Sequence, residues 1–141
     1  MRPFTFHPGP RLISGDGCAV RLADVLPDGP CLFVTDKDVL GLGLTDACRS
    51  ALEEGGRQII LFDSVEADPS RQTLLEAVEL GRRHDVTHVV GFGGGSPMDV
   101  AKLAAYLLGL AGVLTLMRPL WPLLLCIAGW SCGAFAGPVA A

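Results

Sequence analysis

The chain has 141 residues, 18% of them charged, and a formal net charge of −4 at pH 7. A chain of this length suits one domain, and it can bury about two thirds of its unfolded surface in a core. The acidic balance, with no block of basic residues, argues against nucleic-acid binding. The five cysteines include no C-x-x-C pair, and no signal-peptide pattern opens the sequence. We therefore predict reduced thiols and a cytoplasmic protein.

Strand and helix patterns alternate along the first hundred residues. Single helices between apolar strands imply right-handed crossovers and a parallel sheet. The predicted fold is therefore α/β, a parallel sheet with flanking helices. The predicted strands cover residues 11–14, 31–35, 58–62 and 87–92. The predicted helices cover residues 18–26 and 45–52, a third helix that starts at Pro69 with Asp68 as its cap, and a fourth that starts at Pro97.

The glycine turn after the last predicted strand is the most informative segment. Val89 and Val90 are β-branched and apolar, as expected in a strand that is covered on both faces. Three consecutive glycines, Gly93, Gly94 and Gly95, then leave main-chain N–H groups unscreened by any Cβ. A strand, a glycine turn and a helix in this order are typical of an anion site at the carboxyl edge of a parallel sheet.

The residues after the glycines have the pattern of a helix start. Ser96 is predicted as the N-cap, Pro97 as the first helical residue and Asp99 as the acid of a capping box. A helix N-terminus adds its positive dipole end to free N–H donors, so we predict that this one binds a diphosphate. The pattern departs from the standard G-x-G-x-x-G fingerprint, because Ser96 stands where the last glycine belongs. Spacing alone leaves a plain connecting turn as the alternative.

The same turn is similar to a known family. Residues 93–102 resemble the signature G-G-G-S-x-x-D-x-A-K of the iron-containing (group III) alcohol dehydrogenases, whose relatives are glycerol dehydrogenases and dehydroquinate-synthase-like enzymes. Three more segments resemble the family in the right order: an opening strand and turn at 12–17, a strand ending in a Thr-Asp pair at 32–37, and a proline-containing loop at 65–70.

The resemblance implies a Rossmann-like NAD(P)-binding domain over residues 1–108. The family reaction is hydride transfer between an alcohol and the nicotinamide of NAD(P), which yields an aldehyde or ketone, while iron polarises the substrate oxygen. The implied partners are therefore small alcohols or aldehydes. The residues that the resemblance assigns to the cofactor diphosphate are Gly93, Gly94, Gly95, Ser96 and Asp99.

Asp36 closes the second predicted strand. The resemblance implies that its carboxylate accepts a hydrogen bond from the adenosine ribose. It also implies a preference for NAD over NADP, because a 2′-phosphate beside a carboxylate is repelled. Doubly wound sheets place ribose contacts at the carboxyl ends of strands. Without the resemblance, Asp36 is interpreted as a solvated turn residue.

The sequence has no match to the family's iron-binding segments. The family's iron ligands, an Asp and three His, lie in a following helical domain, and a threonine-rich segment comes before it. Neither pattern follows Leu108, and His7, His84 and His88 lack the spacing of a metal pair on one helix face. We therefore predict a truncated family member, without the helical metal-binding domain, that binds NAD but is inactive alone. The alternatives are a non-catalytic nucleotide-binding module and a membrane-tethered α/β module.

Residues 109–141 differ from the rest of the sequence. They carry one charged residue, Arg118, and show no amphipathic face. Three interpretations stay open: an aberrant C-terminus that replaces the rest of the enzyme, a membrane segment over 119–141, and a buried edge of the α/β domain. Any membrane association is expected only through this tail.

Overall fold

The computed structural model describes residues 12–109, 113–117 and 125–126. The strands are β1 (Leu12–Ile13), β2 (Cys31–Val34), β3 (Ile59–Phe62), β4 (His88–Gly93), β5 (Val113–Met117) and β6 (Leu125–Cys126). The helices are α1 (Leu22–Val25), which continues a 3-10 helix at Cys18–Arg21, then α2 (Lys37–Gly41), α3 (Asp46–Glu54), α4 (Arg71–Arg83) and α5 (Gly95–Leu107).

Four parallel strands form the main sheet in the order β3-β2-β4-β5. In β2, Phe33 is aligned with Leu61 of β3 and with Val90 of β4. The two remaining strands, β1 and β6, pair with each other in antiparallel fashion. Because β2, β3 and β4 run parallel, their carboxyl ends meet at one edge of the sheet, where the chain turns into its helices.

Helices cover both faces of this sheet, because successive side chains of a strand point to opposite faces. Phe33 packs with Leu22 of α1 and Leu52 of α3 in one buried cluster. Its neighbours in the strand, Leu32 and Val34, belong to a second buried cluster. That second cluster contains Val78 of α4 and Ala101 of α5, among others. The predicted α/β fold, a parallel sheet with flanking helices, is confirmed.

Two helices begin elsewhere than the sequence predicts. The third predicted helix, α4, begins at Arg71, and its cap is Ser70, whose hydroxyl accepts the Thr73 N–H at 3.1 Å. Asp68, the predicted cap, instead has φ 53° and belongs to the preceding turn. The last helix, α5, begins at Gly95 rather than at Pro97.

The start of α5 corrects the predicted role of Ser96. Gly94 is the N-cap, and none of the side chains that the structure describes caps this helix. Glycine has no Cβ and enters the helix without strain, so the helix extends two residues towards the strand. Ser96 is then the second residue of α5, and Asp99 lies too far along the helix to complete a capping box.

A short helix, α2, was not predicted. It follows β2 directly, and its N-cap is Asp36, whose Oδ1 accepts the Val39 N–H at 2.7 Å. The segment has only five helical residues, too few for an apolar periodicity to be visible in the sequence. The sequence signal for this helix was Asp36, because an aspartate is a favoured residue at a helix N-cap.

The main-chain pairing of the sheet continues beyond residue 108. β5 pairs with β4 in parallel, with Val89 aligned with Val113. β6 also belongs to the tail. The other tail residues, on which the three interpretations mainly rest, lie outside the described residues. Within the described stretches, no helix is long and apolar enough to cross a membrane.

Candidate functional site

A cleft of about 520 Å³ lies where β2, β3 and β4 end. Three connecting segments form its walls, each of them following one of these strands. Clefts at the carboxyl ends of parallel strands are the usual ligand sites of open α/β sheets. The lining residues are Asp36, Lys37 and Asp38 after β2, the segment 63–67 after β3, and Gly94, Gly95, Ser96 and Pro97 after β4.

The glycine turn presents uncovered main-chain groups to this cleft. Gly94 and Gly95 are exposed, and a Cβ at either would meet no heavy atom of the described residues within 4 Å. The first hydrogen bond of α5 runs from the Met98 N–H to the Gly94 carbonyl, at 3.4 Å. The N–H groups of Gly95 and Ser96 therefore have no acceptor within the helix. They stand at the positive end of the dipole of a 13-residue helix.

The two glycines before them have a different function, which is close packing. A Cβ on Gly91 would lie 2.8 Å from Cβ of Ala101 and 3.3 Å from the Pro97 carbonyl oxygen, so only glycine lets α5 lie against β4. Gly93 has φ 140°, a conformation that disfavours side chains. Gly91 and Gly93 thus let the start of α5 pack closely against β4, whereas Gly94 and Gly95 leave the main chain of the helix start accessible from the cleft.

Asp36 is held beside this turn by its own cap. Its Oδ1 is occupied by the Val39 N–H, while its Oδ2 lies 3.1 Å from the position that a Cβ on Gly93 would take. The capping bond restricts the rotation of the carboxylate and leaves Oδ2 beside the turn. The structure therefore brings Asp36 together with Gly93, Gly94, Gly95 and Ser96. Sequence reasoning placed Asp36 at this edge but missed the cap that orients it.

Two predicted cofactor residues, Gly93 and Asp99, do not line the cleft; Gly93 adjoins it beside Asp36, whereas Asp99 lies further along α5. It is the fifth residue of α5, and its Oδ1 lies 3.5 Å from Nζ of Lys102, one turn further on. Both side chains are largely exposed. An exposed pair at this spacing contributes a few tenths of a kcal/mol, on the order of 0.3, to helix stability. The local partner of Lys102 is thus Asp99.

The histidines of the described region do not form a metal site. His84 is the C-cap of α4, and His88 is the first residue of β4, so the two lie on different elements, as predicted. Among the described residues, no three His, Cys, Asp or Glu side chains are arranged so that they could hold a metal ion. These residues therefore do not fit an iron ion.

Two cysteines contribute to the core rather than to the cleft. Cys31 of β2 and Cys48 of α3 are buried in the same cluster as Phe33. Burial and, to a smaller extent, the nearby Cys48 raise the pKa of the Cys31 thiol to about 12. Burial likewise raises the pKa of Cys48 to about 12. Both thiols remain protonated at neutral pH and are poor nucleophiles.

The match with known proteins agrees with this geometry. The sequence model for "Iron-containing alcohol dehydrogenase" matches residues 9–129, which is most of the chain and includes the whole cleft. The chain belongs to the iron-containing alcohol dehydrogenase family.

Curated relatives from this family include enzymes that act on alcohols or aldehydes. The chain is 34% identical over 124 residues to a 1,3-propanediol dehydrogenase of Citrobacter freundii, which covers 82% of this chain and 31% of the relative. It is 31% identical over 107 residues to an NADPH-dependent aldehyde reductase of Escherichia coli, which covers 74% of this chain and 27% of that enzyme. The chain thus spans less than a third of the length of these relatives.

Solved structures of the family have the same fold. An NADH-dependent butanol dehydrogenase from Thermotoga maritima superposes with a TM-score of 0.67 at 27% sequence identity, over 74% of this chain and 27% of that one. The family resemblance predicted from four short motifs is therefore confirmed. The names of these relatives specify 1,3-propanediol, an aldehyde and butanol as substrates, and NADPH or NADH as cofactors.

Proposed function

We propose that the cleft binds the adenosine diphosphate part of NAD, and that these residues supply the cofactor half of an alcohol dehydrogenase. One observation carries the proposal: α5 starts at the carboxyl edge of the sheet, at the exposed Gly94 and Gly95, and the N–H groups of Gly95 and Ser96 have no acceptor within the helix. A helix N-terminus of this kind favours phosphate oxygens through both its donors and its dipole.

The diphosphate would lie against the turn of Gly93, Gly94 and Gly95. The absence of side chains at Gly94 and Gly95 lets phosphate oxygens approach the main chain closely. The N–H groups of Gly95 and Ser96 would donate to these oxygens. The Asp99 carboxylate pairs with Lys102 and does not line the cleft. We therefore assign Asp99 only an indirect effect on diphosphate binding, through the helix.

Asp36 would select NAD over NADP. Its Oδ2, which accepts no hydrogen bond from the described residues, stands beside the glycine turn, where the ribose next to the diphosphate is expected to lie. A carboxylate accepts hydrogen bonds from the two ribose hydroxyls of NAD and repels the 2′-phosphate of NADP. One named relative uses NADPH and one structural relative uses NADH, so the family includes both cofactors.

The bound cofactor would supply the hydride-accepting nicotinamide. The described residues orient its adenosine end, and they offer no group of side chains for the family's iron. We therefore expect the 141-residue chain to bind NAD without oxidising alcohols by itself. The purified chain, incubated with NAD, Fe²⁺ and a panel of short alcohols including 1,3-propanediol, should produce no reduced nicotinamide by absorbance. Clear turnover would contradict this part of the proposal.

The binding proposal is tested with two variants of Asp36. Asp36→Asn keeps an oxygen that can cap α2 but removes the charge, whereas Asp36→Gly removes both. Calorimetric titration should show that the unchanged chain prefers NAD, and that Asp36→Asn gains affinity for NADP by roughly tenfold, about 1.4 kcal/mol, with little change in unfolding temperature.

Two results would contradict the assignment of Asp36. One is an Asp36→Asn variant that keeps the full preference for NAD. The other is a loss of preference in Asp36→Gly alone, since this would trace the effect to the capping of α2 rather than to the charge.

A further inference from the structure

The cofactor cleft has a second acidic wall, opposite the glycine turn. Asp63 directly follows β3 and lines the cleft, much as Asp36 follows β2. The main chains of Asp36 and Ser64 pair in an isolated antiparallel bridge, which ties the two strand ends together. Asp63 is therefore held one residue from that bridge, at the same edge of the sheet as Asp36.

The charge of Asp63 is not neutralised within the described residues. Its Oδ1 accepts a hydrogen bond from the Ser64 hydroxyl at 3.3 Å, and none of the ion pairs found there includes it. The ionisable side chains that line the cleft are four carboxylates and one ammonium group. They are Asp36, Asp38, Asp63, Glu66 and Lys37. Four carboxylates against one ammonium group give the described lining of the cleft a formal charge of −3.

We infer that Asp63 is a second determinant of cofactor choice, which disfavours the extra phosphate of NADP by repulsion through space. The inference rests on the proposed function, because it needs the adenosine end of the cofactor in this cleft. Asp36 and Asp63 have different parts in it. Asp36 has an oxygen free beside the turn and can contact the ribose, whereas Asp63 acts by its charge from the neighbouring strand end.

This difference has a measurable consequence in salt. A charge that acts across part of an open cleft is screened, because the Debye length falls from about 30 Å at 0.01 M salt to about 3 Å at 1 M. A direct hydrogen bond between Asp36 and a ribose hydroxyl is much less sensitive to salt. The contribution of Asp63 to the preference for NAD should therefore disappear at high salt.

The test measures dissociation constants for NAD and NADP by calorimetry on the full chain, at about 0.01 M and about 1 M salt. Asp63→Asn should lower the preference for NAD by roughly three- to tenfold at low salt and leave it unchanged at high salt. Asp63→Glu, which keeps the charge, should keep the preference. Lys37→Gln removes the cleft's cation and should move the preference in the opposite direction. Glu53→Gln makes the same charge change on α3, outside the cleft lining, and should have no effect.

The possible failures are distinguishable. If the unchanged chain binds neither dinucleotide, the proposed function is wrong. If it prefers NAD and Asp63→Asn keeps that preference at low salt, this inference is wrong while the proposed function stands. If the effect of Asp63→Asn is the same at both salt concentrations, or if Lys37→Gln shifts the preference in the same direction, repulsion through space is wrong.

Discussion

The N-termini of α4 and α5 differ in the acceptors that are available to the first N–H groups of each helix. Every helix starts with N–H groups that lack acceptors within the helix. In α4, the Ser70 hydroxyl accepts the Thr73 N–H at 3.1 Å, so the chain provides its own acceptor. In α5, Gly94 has no side chain to offer, and Gly95 and Ser96, whose N–H groups have no acceptor within the helix, line the cleft.

The open helix start is thus a property of a few side chains and not of the fold. Both helices are 13 residues long, and both pack on the same face of the sheet. An uncapped start loses a stabilising bond, and a bound anion can restore it. We therefore attribute anion binding to the N-terminus of α5, whereas the N-terminus of α4 is capped by its own serine and has only a structural role.

The largest effect is expected from a methyl group at Gly91. Gly91→Ala would place a Cβ 2.8 Å from that of Ala101, so α5 would have to move away from β4. Overpacking of this kind costs about 1–3 kcal/mol of unfolding free energy, measured by urea denaturation. Gly95→Ala adds the same methyl group in open space and should leave stability unchanged within about 0.5 kcal/mol. Equal losses in the two variants would contradict the division of the glycines into packing and binding pairs.

The buried cluster around Phe33, on the face of the sheet opposite α4 and α5, should respond to alkaline pH. Burial raises the pKa values of Cys31 and Cys48 from 9.0 to about 12, so the unfolded thiols ionise before the folded ones. The stability due to the neutral thiols is complete below pH 9 and is lost as the pH rises towards 12. Each thiol contributes at most about 1.4 kcal/mol per pH unit to this loss. Urea unfolding between these pH values measures the slope, and Cys48→Ala should reduce it. An unchanged slope in that variant would show that Cys48 has no part in it.

The closed helix start is tested by Ser70→Ala. Loss of the cap should lower the unfolding free energy by about 1 kcal/mol. Because Ser70 does not line the cleft, the affinity for NAD should stay the same, as measured by calorimetry. A weaker affinity in this variant would link α4 to the site and remove the contrast between the two helix starts.

The smallest change in stability is expected from Gly94→Ser, which gives α5 the type of cap that α4 has. The extended conformation of Gly94 and the open space around it accept a serine. The unfolding free energy is expected to rise by only about 0.3 kcal/mol. The affinity for NAD should nevertheless fall several-fold, because the serine hydroxyl competes with the phosphate for the same N–H groups. An unchanged affinity would mean that those groups do not hold the cofactor.

Sequence reasoning predicted the elements with a strong pattern. Continuous apolar runs such as residues 31–35 and 87–92 are buried strands, and the glycine turn lies at their carboxyl ends. The exact start of α5 was not predictable, because Ser96 and Pro97 carry good helix-start signals and only packing against β4 favours a start at Gly95. Asp36 and Asp63 line one cleft although they follow strands that are distant in sequence, so the acidic lining was visible only in the structure.

The most direct test follows the main-chain N–H signals by nuclear magnetic resonance while NAD is added to the ¹⁵N-labelled chain. The signals of Gly95 and Ser96 should shift with the same saturation curve that calorimetry gives, whereas the signal of Thr73 in α4, already bonded to Ser70, should stay in place. NAD that binds while the signals of Gly95 and Ser96 remain unmoved would contradict the assignment of the diphosphate to this helix start.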